Sequence, residues 1–304
     1  MNLECISPAK LDPKWGVIAQ YHSMVAIEGT VKNKAHLNFD GLISSRPSIE
    51  GRAFLGYNAA FGNHYHVILE WLPTFLEFRD MADPTAVLLL PESQRSNGAL
   101  NAALALLGIE SKVRFLDDSA SKPVGFECLY YSDYLHGQHN YMLTESLVNF
   151  YKEIGSSLSR VFHIPTPERL YISRADSKNR LVENESLLIA ELCSDHRFVA
   201  VTLAGMPFPL QVLLLNNARV VISPHGAGLA NLVFKEDGDR AICELQPAAY
   251  KNPCFEKIAQ TYGDAYTAVS MIDVASGHHQ HHLRSRLDDQ ALIKVRAFVN
   301  ETKM

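Results

Sequence analysis

ARVVISPHGAGLANLVF, running from Ala218 to Phe234, is the stretch whose reading decides the fold class. Val220, Val221 and Ile222 are apolar in succession, so both faces of that extended segment are suited to burial, as in a strand of a parallel sheet. Pro224 ends it, and Gly226 and Gly228 let the backbone turn and approach a neighbour or a ligand closely. A short helix is expected to follow at once and to run through Phe234. Strand, glycine turn and helix start are the means by which an α/β sheet offers free N–H groups and the positive end of a helix dipole to a diphosphate. The same pattern also serves as a tight turn that binds nothing, and Gly-x-Gly alone does not separate the two readings. His225, Gly226, Ala227, Gly228 and Leu229 are the anion-binding candidates of this turn.

The pattern repeats in both directions. Upstream, Arg169 to Ser173 (RLYIS), Asn184 to Cys193, Phe198 to Leu203 and Pro209 to Asn216 read as strand, helix, strand and helix; downstream, Arg240 to Leu245 is a strand and Asn252 to Tyr262 a helix. Further back, Arg52 to Tyr57, Thr85 to Leu90, Lys112 to Leu116 and Val124 to Tyr131 read as strands. Asn63 to Asp80, interrupted by Pro73, Asn97 to Leu107 ahead of Gly108, and Thr144 to Leu158 read as helices. Strands alternating with helices predict an α/β protein with parallel sheets covered by helices. His163-Ile-Pro-Thr-Pro-Glu168 resists both helix and central strand, so the expected domains are 1–160 and 161–304.

The loop after RLYIS, in YISRADSKNRLVENE (Tyr171 to Glu185), lies on the same sheet edge as the glycine turn. Arg174, Lys178 and Arg180 gather there, and guanidinium forks match phosphate oxygens; an isolated loop of this kind is as readily a solvated charged surface. Arg174, nearest the strand end, is the first choice. Glu244 ends AICEL, where a carboxylate can accept from ribose hydroxyls; taken alone, it reads more readily as a surface carboxylate. In the amino-terminal half, Asn63-His-Tyr-His-Val-Ile-Leu-Glu70 places His66 and Glu70 four apart on one helix face. A carboxylate beside an imidazole suits a general base for an acceptor hydroxyl. His64 is the alternative base, and a structural histidine near a helix start is the plain reading.

Composition narrows the classes. The chain has 304 residues, 47% hydrophobic and 20% charged, enough to bury a core without staples. A net charge of -5 gives no broad electrostatic footprint for nucleic acid. Five cysteines with no Cys-x-x-Cys pair argue against a zinc knuckle and a disulfide framework, and so for a reducing compartment. MNLECISPAKLDPKW lacks the basic start and apolar run of a signal peptide, and no apolar run is long enough to span a membrane, so any membrane association is expected to be peripheral. Asp237-Gly238-Asp239 has metal–nucleotide spacing but reads as an ordinary turn. His278-His279-Gln280-His281-His282 resembles a metal tract but reads as a solvated loop. No metal site is expected.

YISRADSKNRLVENE, then FPLQVLLLNNARVVISPHGAGLANLVF, then AICEL, with GNHYHVILEWLPTF upstream, closely resembles glycosyltransferase family 61 in order and spacing, over roughly Gly56 to Leu245. The resemblance implies a GT-B architecture, two Rossmann-like doubly wound domains facing across a cleft, the second binding the sugar nucleotide and the first receiving the acceptor. It implies an inverting transferase using a nucleotide-sugar donor such as a UDP-sugar, without a required divalent metal or other cofactor. Carried over residue by residue, Arg174 and His225 to Gly228 hold the donor diphosphate, Glu244 lies near the ribose, and His66 or Glu70 faces a glycan or lipid-linked acceptor. The short, anchorless chain fits a bacterial-type enzyme of surface polysaccharide assembly at the inner face of the membrane, in the cytoplasm. The rivals are a non-catalytic sugar-nucleotide or polysaccharide-binding protein, a metal-dependent hydrolase built on the histidines, and a transferase of phosphate or pyruvate groups. Donor sugar, acceptor and oligomeric state are left open.

Overall fold

The computed structural model describes residues 3–20, 26–27, 39–60, 62–136, 142–235, 239–275 and 284–302. The chain is α/β and divides into two compact units, Met1–Asn140 and Tyr141–Met304. The histidine tract at 278–282 and the first two residues of Asp237-Gly238-Asp239 lie outside the described residues. Asp239 forms an ion pair with Lys235, Nζ to Oδ1 2.8 Å.

In the second unit, strands β9 (Arg169–Ile172), β11 (Val199–Val201), β12 (Val220–Pro224), β13 (Ala241–Pro247) and β14 (Ala265–Ala275) are mutually parallel, side by side in the order β11-β9-β12-β13-β14. The short β10 (Leu181–Val182) and β15 (Arg284–Arg286) extend the sheet beyond β14. Counted from β9 without β10, the parallel strands follow the 2-1-3-4-5 order of a common doubly wound sheet, whose direction of winding reverses between its first and third strands. Here that reversal falls between β9 and β12. Tyr171, Ile222, Leu245 and Val269, one from each of four neighbouring strands, are buried in a common core. The strands are apolar on both faces because both faces are covered.

The helix Glu145–Val161 also belongs to this unit. Thr144 caps it, accepting from the Leu147 N–H. Its buried residues include Phe150, Tyr151, Ile154 and Gly155. A Cβ on Gly155 would lie 1.9 Å from the Phe234 carbonyl oxygen, and Tyr151 meets the Phe234 ring edge-on with centroids 5.8 Å apart. The division between units therefore precedes this helix rather than following it at the proline-rich segment: its apolar face packs on the second unit.

The first unit is a mixed sheet. β5 (Ile49–Leu55), β6 (Val87–Pro91), β7 (Val113–Leu116) and β8 (Val124–Ser132) are parallel in the order β8-β5-β6-β7. β1 (Leu3–Ile6), β2 (Ala9–Asp12), β3 (Val17–Gln20) and β4 (Ala26–Ile27) add antiparallel pairs outside β8. The short amino-terminal strands pair antiparallel, which makes this sheet mixed rather than parallel throughout. After β5 the chain turns into a helix capped by Asn63, whose side chain accepts from the Tyr65 N–H. The helix is α at His64–His66, widens to a π turn at Val67–Trp71, and is α again at Leu72–Asp80. Pro73 donates no N–H into this helix, and the widened turn precedes it.

A second correction concerns the cysteines. β1 pairs with β8 with Cys5 opposite Tyr130, so Cys128 is a diagonal neighbour, and Cys5 and Cys128 are joined in a disulfide with Cα atoms 6.4 Å apart, within the usual range. A sequence separation of 123 hides the pair from any spacing rule. Thiol titration of denatured, unreduced protein is expected to find three thiols, Cys193, Cys243 and Cys254, and five after reduction. In the folded protein only the exposed Cys193 should react; burial, aided by the Glu244 charge, pushes the Cys243 thiol up to about 12. Five thiols without reductant would overturn the assignment.

Candidate functional site

The winding reverses between β9 and β12, and the carboxyl ends of strands at such a reversal are the usual ligand position in open α/β sheets. Two loops of basic and glycine residues end there. The first leaves β9 through Ser173 and Arg174. Glu185, buried at the start of the helix Glu185–His196, fixes that exit: it accepts from the Tyr171 hydroxyl at 3.0 Å, the Ser173 hydroxyl at 3.0 Å and the Arg174 N–H at 3.2 Å. The Arg174 guanidinium donates through Nη2 to Ser177 Oγ at 2.7 Å and to the Asn179 carbonyl at 2.9 Å. Its Nε is buried without a hydrogen-bond partner. Burial, and secondly the like charge of Arg180, pull the Arg174 guanidinium down to about 10, so it keeps its proton at neutral pH while lacking a full complement of acceptors. Arg180 is itself pulled down by burial. It adopts φ +53° and lies over the Tyr250 ring, 5.3 Å from its centroid. Lys178 is exposed.

The second loop leaves β12. Ser223 Oγ donates to the Ile172 carbonyl at 3.2 Å, tying the two strands at their ends, and the His225 N–H donates to Leu245 at 2.9 Å. Gly226 has extended backbone, φ −173°, so conformational freedom is not why glycine stands there. A Cβ at 226 would lie 1.9 Å from Arg174 Nη1, so glycine is what lets the guanidinium lie against the turn. Gly228 is open for a different neighbour, since its Cβ would meet Leu203 Cδ1 at 2.7 Å. The following helix, Ala227–Phe234, is a 3₁₀ helix, and the Leu229 N–H already donates to the Gly226 carbonyl at 3.0 Å. Leu229, 1% exposed, is a core residue.

Glu244 departs from the surface reading: it is 0% exposed. One oxygen pairs with His225 Nδ1, and the other accepts from the Tyr266 hydroxyl and, at 3.2 Å, from Gln246 Nε2. Tyr250 and Phe255 wall the His225 ring, each with centroids 5.1 Å away. The structure thus gathers Arg174 with Gly226, and His225 with Glu244, through the ends of three adjacent strands.

Replacing Gly226 by alanine puts a methyl where Arg174 Nη1 now lies. The obstructing atom ends a flexible side chain and the backbone tolerates alanine, so thermal stability should stay close to wild type. Arg174 should move, and any affinity for a diphosphate should fall by about tenfold, the loss of a charged hydrogen bond. Isothermal titration beside a melting curve checks this; unchanged affinity would place Arg174 outside the binding function.

The first unit has its own reversal, between β5 and β8, and the second candidate group sits after those strands. Asn58, just past β5, donates from Nδ2 to the Leu135 carbonyl, just past β8, at 2.8 Å and to Glu70 Oε2 at 2.6 Å. Its Oδ1 accepts from the Trp71 indole at 3.0 Å. Glu70, fully buried in the π turn, reaches His66 Nδ1 with its other oxygen at 2.7 Å. The His66 side chain is 18% exposed, and Tyr65 stands edge-on to it at 5.4 Å. His64 is half-buried at the helix start. Sequence reading names His66 and Glu70 as a pair but not Asn58, which has no signal beyond its place after a strand. Tyr250, Tyr266 and Glu185 are likewise found only by packing. Among the described residues no group of three His, Cys, Asp or Glu gathers as a metal-binding cluster, and no helix is long and apolar enough to cross a membrane.

The family model described as Glycosyltransferase 61 matches residues 64–242, from the helix bearing His66 to the strand bearing Glu244. No curated protein matches.

Proposed function

The chain belongs to glycosyltransferase family 61, and from that premise we propose that it moves a sugar, with inversion, from a UDP-linked donor to a hydroxyl of a glycan or lipid-linked acceptor. The observation that carries this reading is the Arg174 guanidinium, half-buried, its Nε buried without an acceptor, and lodged against Gly226 at the winding reversal. A cation so placed is suited to an anion, and the leaving nucleoside diphosphate is the anion this chemistry produces.

In this reading the second unit holds the donor and the first supplies the base, the division of labour of a GT-B enzyme. His66, held at Nδ1 by Glu70, takes the acceptor proton through Nε2. The acceptor oxygen attacks the anomeric carbon from the face opposite the diphosphate. The carbon–oxygen bond to the diphosphate breaks and its electron pair stays on the diphosphate oxygen. Arg174 and the backbone of the Gly226 turn stabilise that charge, taking the part that a divalent cation plays elsewhere. The role is assembly of a surface polysaccharide. The cysteines no longer argue for the cytoplasm, since Cys5 and Cys128 are bonded; the thiol count of protein taken from its native compartment decides that point.

A thermal-shift screen against UDP, GDP, CMP and their sugars, with EDTA present, tests the donor site. A ligand at about 100 times its dissociation constant adds about 2.7 kcal/mol of stability. A shift with one nucleotide family supports the reading and identifies the donor class. No shift with any of them sinks the donor-site reading in favour of a polysaccharide-binding protein.

A further inference from the structure

Glu244 lies within β13, opposite Ser223 of β12, where a carboxylate in contact with a bound nucleotide would be expected to face outward. It does the opposite. The residue is 0% exposed, and its two oxygens are committed to His225 Nδ1 on one side and to the Tyr266 hydroxyl and Gln246 Nε2 on the other. Gln246 also donates to the Tyr266 oxygen at 3.2 Å. These partners come from β12's end, from β13 itself and from β14, so the carboxylate bridges adjacent strands beneath the loop that carries Gly226. Burial and the Glu244 charge push the Tyr266 phenol far above its ordinary range, which keeps the hydroxyl a donor. A buried carboxylate satisfied by several donors is ordered, and a side chain hydrogen-bonded to it inherits that order.

We propose that Glu244 touches no donor atom and is a positioning residue that acts through His225: by holding Nδ1 it aims Nε2 at the diphosphate of the bound nucleotide. With Nδ1 committed, the imidazole can meet a ligand only through Nε2. The ring is packed against Tyr250 and Phe255, and the His225 N–H is itself fixed to Leu245. Gly226 is the next residue and Arg174 lies against it, so the imidazole stands one residue from the place the guanidinium takes on this turn. This inference rests on the donor-site reading above; it replaces a ribose contact by Glu244 with control of a neighbouring ligand group.

The test is a double-mutant cycle read by titration with the nucleoside diphosphate, UDP or GDP, that stabilises the wild-type protein. Glu244→Gln keeps the shape of the side chain and is expected to weaken binding about tenfold, the scale of a lost charged hydrogen bond. His225→Asn should weaken it by as much or more. The double variant should bind like His225→Asn alone, because a residue that acts through another adds nothing once the other is gone. Additive losses, or no loss in Glu244→Gln, would overturn the proposal. Tyr266→Phe keeps the ring and removes one donor; it should weaken binding in the presence of His225 and not in His225→Asn, which keeps the idea testable if Glu244→Gln does not fold. Selective ¹⁵N-histidine spectra give a readout that needs no ligand: the His225 signals should report a proton on Nδ1, and that state should be lost in Glu244→Gln. An unprotonated Nδ1 in the wild type would also overturn it. If the wild type binds neither diphosphate, the donor-site reading fails; if it binds and Glu244 is silent, only this inference fails.

Discussion

Arg174→Ala is expected to lower kcat/KM for sugar transfer by about 10²–10³-fold, the usual cost of losing a group that stabilises charge developing in the transition state. The expectation follows from how the side chain is held. Two of its hydrogen bonds go to its own loop, Ser177 and the Asn179 carbonyl, while Nε is buried with no acceptor and Nη1 lies against the Gly226 turn. Arg180 adds a like charge that burial does little to screen. A diphosphate would supply the acceptors and offset the repulsion, and it would do so most strongly as the leaving oxygen gains charge. The loss should therefore appear in kcat as well as in KM. Arg174→Lys should recover little, since an ammonium keeps the charge but not the fork. Steady-state kinetics with the donor class found by the nucleotide screen decides the matter, and a fall of less than about fivefold would remove Arg174 from the chemistry.

His66→Ala is expected to lower kcat by about 10²–10⁴-fold, the range of a lost general base, with affinity for the nucleoside diphosphate unchanged. That split is what separates the base from the donor group, because His66 and Arg174 stand in different units. Glu70→Gln should give a smaller fall in kcat, since the imidazole stays but its Nδ1 loses the carboxylate that fixes its orientation. Glu70 is also the acceptor for Asn58, and an amide can still accept there. A weaker nucleotide affinity in His66→Ala, or an unchanged kcat, would count against the assignment and return weight to His64.

Much of the second unit was legible in the sequence because its strands are buried on both faces. Runs such as Val220, Val221 and Ile222 mark a parallel sheet locally, without knowledge of their neighbours. The same holds for Arg174 and Gly226, which sit where each strand ends. The positions and partners of the short amino-terminal strands were not legible. β1 and β2 are four residues each and take their partners from β8, more than a hundred residues on, so neither local period nor spacing reports them. The Cys5–Cys128 bond was hidden for the same reason. Glu244 was read as the end of a strand and as a surface carboxylate; it stands instead in the middle of β13 and is buried, because Tyr266, which helps to close over it, sits on the next strand and leaves no mark in the sequence near residue 244. The helix after β5 was legible to its Asn63 cap and to an interruption near Pro73, but not to a π turn that sets Glu70 between Asn58 and His66.

The contact of Gly155 with the Phe234 carbonyl has a consequence for dividing the molecule. A fragment cut within the prolines at 163–168 would lose the helix Glu145–Val161, opening to water the apolar bed around Phe234 on which Tyr151 and Gly155 pack. A fragment beginning at Tyr141 carries the helix with it. Expressed in parallel, the longer piece should remain soluble and bind nucleotide, while the shorter should aggregate.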